Sequence, residues 1–563
     1  MRRDVRHSPA RGILRTRGAS ARRFCALLAL ILLAAAATWL VARRAVGPSA
    51  GDVARTLPAP LVFRRGNGTE PESLDVHRAR SEAALTILRD LYEGLTAIAA
   101  DGTTVPAAAD HCEVSSDGKT YRFHLRADAR WSNGDAVVAD DFMAAWRRLV
   151  DPHTGAQYAG ILGPVRGAAE IAAGSAAPGT LGVHSDDPAT LVVELARPTP
   201  YFLSLLAHPA TFPINRGSLA ANGRAFAKPG VMVSNGAFVL TRWDFGSHLV
   251  AVRNTRYWNN AATRVDQVEY YSFADADTEL KAFRTGQVDV TSTIPAAQLP
   301  WIKAHLGDAL HAAPQLAVYY LGLNLRKPPF DKSRELRQAL SLVIDRERLV
   351  QSVTGAGEGP AYTFVPPQVH GYSPPVPEYA AWPMAQRIAR ARQLLRDAGP
   401  VPVIELRYNS GELHGRIAVA VAQMWKQSLG LDTRLRAEEF KVLLQDIDRN
   451  DVTVFRASWL GDFDDAYGFL QVLQSGFGIN LPHYANGDYD DLLERAANEG
   501  DIGRRRELLQ RAEALMLADQ PLIPLYFYVS KHLVNARIRG WQDNAMNVAY
   551  SKNLAKAPAG VGE

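Results

Sequence analysis

Cysteine is scarce in this sequence, which has two cysteines among its 563 residues. Cys25 lies inside an N-terminal apolar run, so only Cys112 remains in the rest of the chain. One thiol cannot form a disulfide within its own chain, and a disulfide framework is therefore excluded. The sequence also shows no arrangement of His, Asn or Asp around Cys112 that is typical of a catalytic thiol. We expect Cys112 to be buried rather than catalytic.

Several motifs that enzymes and metal sites share are also absent, among them HExxH, CxxC and GxxxxGK[ST]. The glycine-rich segment 355–359 has no lysine after it and contains Glu358, which would repel phosphate, so it is predicted to be a turn. The acidic segment 462–465 is followed by Ala466, at a position where a calcium loop needs another oxygen ligand, so a calcium site is not predicted. The 14 histidines are scattered. We predict no metal, no cofactor and no enzymatic activity.

Positive charge is concentrated at one end of the chain. Residues 1–56 contain 11 arginines and two acidic residues. Removing them from the totals of 63 basic and 58 acidic residues leaves 52 basic and 56 acidic residues, a net charge of −4. The sequence pI near 9.0 therefore reflects the N-terminus alone. Without a basic stripe in the remainder, a nucleic-acid-binding surface is not predicted.

An apolar run from Phe24 to Ala42 lies between arginines on both sides and predicts export across a membrane. Residues 1–23 form a basic cytoplasmic leader, and residues 43–60 read as a linker. The run is longer than a signal-peptide core of about 7–15 residues and close to the roughly 20 that span a bilayer, so a cleaved signal sequence and an uncleaved anchor both stay open. More arginines precede the run than follow it, which predicts that the N-terminus stays in the cytoplasm and that residues 45–563 cross the membrane.

Beyond the linker, strand-like and helix-like segments alternate without an internal repeat, which predicts a mixed α/β (α+β) protein. A chain of this length divides into two or three domains. Residues 120–125 (TYRFHL) alternate as a strand does, and residues 522–529 (LIPLYFYV) predict a buried strand. Helices are predicted near residues 334–353, 416–429 and 504–517.

Short sequence stretches, spread in order over residues 60 to 550, resemble the periplasmic oligopeptide-binding proteins of ATP-driven (ABC) peptide importers, the large two-lobed class of solute-binding protein family 5. No single stretch is specific, but their order over most of the chain is. They are ESLDVH (72–77), RDLYEGL (89–95), FHLRADARWSNGD (123–135), SNGAFVL (234–240), RYWNN (256–260), LNLRKPPFD (323–331), ALSLVIDRERLV, YNSGELH and FRASWLGDF.

The resemblance implies a two-lobed, periplasmic-binding-protein-like fold made of three parts that closes around its ligand. A discontinuous domain I and a small inserted domain II form one lobe, and domain III forms the other. Chain crossings near Ala317 and Val529 act as the hinge. The implied ranges are 61–82, 215–316 and 530–563 with the tail for domain I, 83–214 for domain II, and 317–529 for domain III.

A receptor for peptides of any sequence must recognise the ammonium, the carboxylate and the backbone of its ligand. The resemblance implies that Asp462 binds the peptide ammonium, which needs a carboxylate once it is removed from water. Arg456, with its bidentate fork, and His414, with its adjustable protonation, match positions that meet the peptide carboxylate. From the sequence alone, structural roles are the more frequent ones: a turn residue or helix cap for Asp462, an ion-pair partner for Arg456 and a surface residue at a helix start for His414.

Further positions match the wall of the family's cleft, and each is equally compatible with core packing. Two positions depart from the pattern: Arg80 stands where some members have a cleft glutamate, and some members have a disulfide between the positions of Ala317 and Leu460. The implied cleft residues are Tyr528, Tyr320, Tyr158, Phe440, Leu444, Asn409, Trp459 and Gly461.

The resemblance implies a monomeric periplasmic receptor that captures short peptides, two to five residues long, and delivers them to the permease and ATPase of an ABC importer. An alternative is a peptide sensor or signalling receptor of the same fold, anchored in the inner membrane by residues 24–42. A hydrolase of peptides would need a nucleophile and base, or a metal, in the cleft, and the sequence indicates none.

Overall fold

The computed structural model describes residues 60–273, 275–476 and 479–557, apart from the side chain of Lys441. The predicted leader, apolar run and linker lie outside these ranges, except for Pro60. Within them, no helix combines the length and the apolar character that a membrane crossing requires.

The strands of the described ranges are assigned as follows. They are β1 (Val62–Gly66), β2 (Thr96–Ile98), β3 (Thr104–Pro106), β4 (Ala109–Val114), β5 (Thr120–Leu125), β6 (Val183–Asp187), β7 (Thr190–Glu194), β8 (Phe238–Asp244), β9 (His248–Arg253), β10 (Gln267–Tyr271), β11 (Leu310–Leu323), β12 (Gly359–Pro360), β13 (Ile404–Asn409), β14 (Thr433–Glu438), β15 (Val454–Leu460), β16 (Leu522–Leu533), β17 (Ile538–Arg539) and β18 (Ala555–Lys556).

The α-helices alternate with these strands, as the sequence predicts. They are α1 (Glu82–Leu91), α2 (Ala139–Val150), α3 (Ala168–Ala172), α4 (Phe202–Leu205), α5 (Arg216–Asn222), α6 (Ala276–Arg284), α7 (Leu299–His305), α8 (Arg334–Leu342), α9 (Arg346–Leu349), α10 (Met384–Ala398), α11 (Glu412–Leu429), α12 (Phe440–Asp448), α13 (Ala466–Leu470), α14 (Gly487–Asn498) and α15 (Ile502–Asp519).

One four-stranded sheet joins distant parts of the chain in the order β1-β10-β9-β8. Strand β1 pairs in parallel with β10, so that Phe63 lies opposite Val268. Both side chains are fully buried, and they share a core with Tyr270. The pairing ties the start of the described chain to residues some two hundred positions later.

A second sheet has the order β4-β5-β7-β6, and all of its neighbouring strands are antiparallel. Strand β5 coincides with the predicted strand at residues 120–125. Its alternate residues Tyr121, Phe123 and Leu125 are buried, whereas Arg122 and His124 are only partly buried. Cys112, on β4, is partly rather than fully buried, and this burial raises the pKa of its thiol to about 12, which leaves it protonated at neutral pH.

The largest sheet has six strands in the order β12-β16-β11-β15-β13-β14. Its centre is the antiparallel pair of β11 and β16, which are 14 and 12 residues long. Strand β15 pairs antiparallel with the other edge of β11, and this register places Ala317 directly opposite Leu460. The positions that hold a disulfide in some members of the resembled family are therefore cross-strand neighbours here.

The predicted helix at residues 334–353 is wrong as a single element. It is divided into α8 and α9, followed by a π-helical turn at Val350–Thr354. The Asp345 carboxylate accepts a hydrogen bond from the Arg348 backbone N–H and so begins a new helix. The helices predicted at 416–429 and 504–517 are present as α11 and α15, which are longer than expected.

Candidate ligand-binding cleft

A cleft of about 900 Å³ lies between the loops that follow α2 and the end of strand β15. Three of the predicted site residues, Tyr158, Phe440 and Trp459, line it together with Asp462. Arg80 also lines it, so a cation does occupy the position at which some members of the family have a glutamate. The volume lies in the range of sites that enclose small organic ligands.

Tight packing at the end of β15 brings Asp462 to the cleft. The Gly461 backbone N–H donates to the Leu316 carbonyl at 2.8 Å. A Cβ atom at position 461 would lie 3.0 Å from the Phe469 ring and 3.4 Å from the Phe463 carbonyl oxygen, so a larger residue would push this segment away. Gly461 therefore shapes the turn that presents Asp462.

The acidic residues that follow Asp462 have structural partners. Asp464 accepts a hydrogen bond from the His370 backbone N–H at 2.9 Å. Asp465 caps α13 by accepting from the Tyr467 N–H, and it forms two 2.8 Å hydrogen bonds with Arg505. Asp462, by contrast, has no hydrogen bond or ion pair within the part of the chain that the structure describes. Its carboxylate is accessible to water from the cleft.

Desolvation by the surrounding protein, reinforced by the negative charge of Glu82, raises the pKa of Asp462 to about 6. Across the cleft, burial and the charge of Asp462 raise the pKa of the Tyr158 phenol to about 12. No cation close enough for an ion pair compensates Asp462 among the described side chains. This part of the cleft is thus electrostatically prepared for a positively charged group.

Arg456, on β15, lies in a second cluster whose members are neutral. Its guanidinium donates to Asn409 Oδ1 at 3.1 Å, to the Tyr528 hydroxyl at 2.9 Å and to Ser458 Oγ at 3.3 Å. It also stacks over the Tyr319 ring at 4.7 Å. No carboxylate of the described residues lies within ion-pair distance of Arg456, so the alternative of a structural ion pair does not hold there.

His414, near the start of α11, belongs to the same cluster. Its Nδ1 lies 3.4 Å from the Tyr319 hydroxyl. Burial and the neighbouring charge of Arg456 lower the pKa of His414 to about 4, so the imidazole is neutral at pH 7. It is not a second permanent cation in this structure.

The other predicted residues do not line the cleft, neither those of the cluster around Arg456 nor Leu444 and Tyr320. Leu444 is half-buried on α12, one helical turn after Phe440. Tyr320 is 4% exposed and packs edge-on against Phe364, with 5.4 Å between ring centroids. The structure therefore places Tyr320 in the core beneath the cleft wall.

Other cleft residues were not predicted from the sequence. Arg197, Gln157 and Tyr201 come from loops that carry no motif, and nothing in their local sequence marks them as cleft residues. Ser458 could have been predicted from the sequence, because it lies two residues after the candidate Arg456 and residues two apart on a strand share a face.

The chain matches the model of the bacterial extracellular solute-binding proteins, family 5, over residues 103–480. It is 34% identical over 507 residues to the periplasmic oligopeptide-binding protein OppA of Escherichia coli, covering 89% of this chain and 93% of that protein. It is 37% identical over 527 residues to the probable deoxycholate-binding periplasmic protein YgiS of the same organism, covering 92% and 98%.

Among solved structures, the Haemophilus influenzae OppA complex with the peptide RPPGFSPFR aligns with a TM-score of 0.78 at 33% identity, covering 89% of this chain and all of that one. This neighbour has the two-lobed architecture that the sequence predicts, with mixed strands and helices. The chain belongs to family 5 of the bacterial extracellular solute-binding proteins.

Proposed function

We propose that this protein is a periplasmic receptor that captures short peptides in the cleft and delivers them to the permease and ATPase of an ABC importer, without catalysing a reaction. One observation carries the proposal. The described structure contains a cleft carboxylate without a cation, Asp462, and a neighbouring guanidinium without an anion, Arg456. A peptide with free termini supplies both missing charges.

The spacing of these charges supports short ligands. Asp462 and Arg456 are six positions apart, and strand β15 ends between them at Leu460, so the length of a fully extended path, about 20 Å, is the upper limit of their Cα separation. Each peptide residue spans up to about 3.5 Å. Peptides of two to five residues fit this interval, with the Tyr528 hydroxyl and the neutral His414 beside the carboxylate end.

We further propose that the lobes close about β11 and β16, with the domain boundaries given by the sequence and the protein acting as a monomer. The pairing of these two strands is irregular between Pro314 and Val318, and Pro314 lies opposite Val529. Such irregularities bend a strand pair locally. They lie at the predicted crossings near Ala317 and Val529, which supports a hinge at that place.

A second candidate ligand is an amphipathic carboxylate. The 37% identity to a probable deoxycholate-binding protein favours it, and Arg456 would donate hydrogen bonds to its carboxylate as it would to that of a peptide. Such a ligand leaves Asp462 uncompensated, however, because it has no ammonium. Anchoring of the receptor in the inner membrane by residues 24–42 is compatible with either ligand.

Calorimetric titration with tetra-alanine, its N-acetylated form, its C-terminal amide and deoxycholate tests the proposal. Unmodified peptide should bind, acetylation should weaken binding at least 100-fold, and amidation should weaken it by a smaller factor. Equal affinity for the acetylated and free peptides would contradict the role of Asp462. Saturable binding of deoxycholate without binding of any peptide would replace the first candidate by the second.

A further inference from the structure

Three potential metal ligands converge on the sheet β4-β5-β7-β6, away from the cleft. They are His111 and Glu113 on β4 and His124 on β5, and one ligand atom from each lies within 4.8 Å of the others. The side chains of His111 and Glu113 are mostly exposed, and that of His124 is 30% exposed. None of the three lines the cleft.

Strand geometry explains why the sequence pattern hides this cluster. His111 pairs directly with His124 across the antiparallel strands, and a register irregularity between Ala109 and His111 precedes it. The two imidazole rings stack with 4.2 Å between centroids and 10° between planes. Glu113 is two residues after His111 and therefore lies on the same face, whereas Cys112 points to the opposite, partly buried face.

The histidine nitrogens are already oriented as ligands. His111 Nδ1 lies 2.6 Å from Asp110 Oδ1, and a carboxylate can only accept, so Nδ1 carries the proton and Nε2 keeps a free lone pair. A carboxylate behind a histidine is the usual support of a metal-binding imidazole. His124 Nε2 is buried, has no hydrogen-bond partner in the described structure, and faces Glu113 Oε1 at 3.7 Å.

The neighbouring charges leave Glu113 available. Arg122 lies opposite Glu113 in the strand register, but its guanidinium is paired with Asp186. Glu113 makes its closest ionic contact with His124 instead. A bound cation would thus meet a carboxylate that is not committed to the adjacent arginine.

We propose that His111, Glu113 and His124 form a binding site for a divalent transition-metal ion such as Zn²⁺. Two imidazoles and one carboxylate are a ligand set that zinc accepts, with its fourth position open to water or another ligand. Tetrahedral zinc at about 2.1 Å from each ligand needs ligand atoms about 3.4 Å apart. The observed spacing of up to 4.8 Å is wider than this, and rotation of the exposed His111 and Glu113 side chains would bring the ligand atoms together.

Isothermal titration of the full chain with ZnCl₂, purified without a polyhistidine tag, tests this site. The expected result is one saturable site that His111→Ala or His124→Ala weakens at least tenfold. Asp110→Asn should weaken it by about tenfold through loss of orientation. His184→Ala is the matched control, because His184 lies on β6 of the same sheet and, among the described residues, has an ionic contact with a single carboxylate, that of Asp186.

Binding of Co²⁺ gives a second readout, since tetrahedral coordination produces strong visible absorption that octahedral solvent coordination does not. The absorption should appear with the unaltered chain and His184→Ala, and disappear with His124→Ala. The proposal is overturned if Zn²⁺ shows no saturable binding, if both ligand variants bind as the unaltered chain does, or if His184→Ala weakens binding as much as they do. Far-ultraviolet circular dichroism verifies that each variant is folded.

Discussion

The two charged positions of the cleft region are built in opposite ways. Arg456 is held by neutral groups, with Asn409, Ser458 and Tyr528 accepting its N–H groups and Tyr319 beneath its plane. Asp462 has no such support within the described ranges, and its pKa is raised to about 6. One charge is stabilised before a ligand arrives, and the other is destabilised until one does.

This difference indicates a division of labour. An unsupported carboxylate gains most from an ammonium placed directly against it, so Asp462 should fix the position of one peptide end. A guanidinium surrounded by hydroxyl and amide groups can exchange one neutral partner for an anion without being left unpaired. The carboxylate end should therefore tolerate more variation in ligand position than the ammonium end.

The largest expected effect comes from removing the unsupported charge. Asp462→Ala should weaken binding of tetra-alanine by about 3 kcal/mol, roughly 100-fold, because the bound ammonium loses its counterion. Calorimetric titration at pH 7 measures the change. Asp432→Asn is a control of equal charge change, since Asp432 is exposed and pairs with Lys426. An unchanged affinity in Asp462→Ala would break the comparison.

Removing the supported charge should cost less. Arg456→Ala should weaken the same peptide by about 1.5–3 kcal/mol, at least tenfold, the usual value of hydrogen bonds to a charged group. Arg456→Lys should recover part of that loss, because it restores the charge but not the planar fork. Calorimetric titration of both variants with the same peptide measures these losses. A larger loss in Arg456→Ala than in Asp462→Ala would reverse the proposed ranking.

Acidification should weaken binding through Asp462. The carboxyl of the unliganded protein has a pKa of about 6, and only its ionised form pairs with an ammonium. The two peptide termini keep their charges between pH 5 and 7. Affinity should thus fall about tenfold from pH 7 to pH 5, following the ionised fraction of Asp462. Asp462→Asn should remove this dependence, and the same slope in that variant would assign it to another group.

The sequence was informative where local pattern and tertiary structure agree. Alternation in β5 reflects a sheet with one buried face, and residues 120–125 were therefore predictable to the residue. The helix at 334–353 was not, because Val343 and the capping Asp345 interrupt it in a segment whose apolar spacing looks continuous. The apolar periodicity predicts one helix, but the Asp345 side-chain cap begins a second one at Arg346.

Resemblance to a family motif is the only sequence signal that points to Asp462 and Arg456, and their roles stay predictions. The described structure adds that neither side chain has an oppositely charged partner within ion-pair distance among the described residues. Arg197 and Gln157 reach the cleft from loops far away in sequence, and only tertiary folding reveals them. His111 and His124 were likewise not predictable as a pair, because the register of strands β4 and β5 makes them neighbours and their separation along the sequence does not.

The smallest expected effect is on the stability of the unliganded protein, and it tests whether Asp462 lacks the support that Arg456 has. Asp462 has a higher pKa in the folded chain than the ordinary value of 3.8, so the folded state binds more protons between pH 3.8 and 6. Through this group, stability therefore falls as pH rises across that window and stays lower above it. Asp462→Asn should raise the midpoint of thermal unfolding at pH 7.5 and leave it nearly unchanged below pH 4. Differential scanning fluorimetry of unliganded protein measures both, and the gain should be small because water reaches the carboxylate. Destabilisation at pH 7.5 would mean that the charge is supported in the free protein, as Arg456 is.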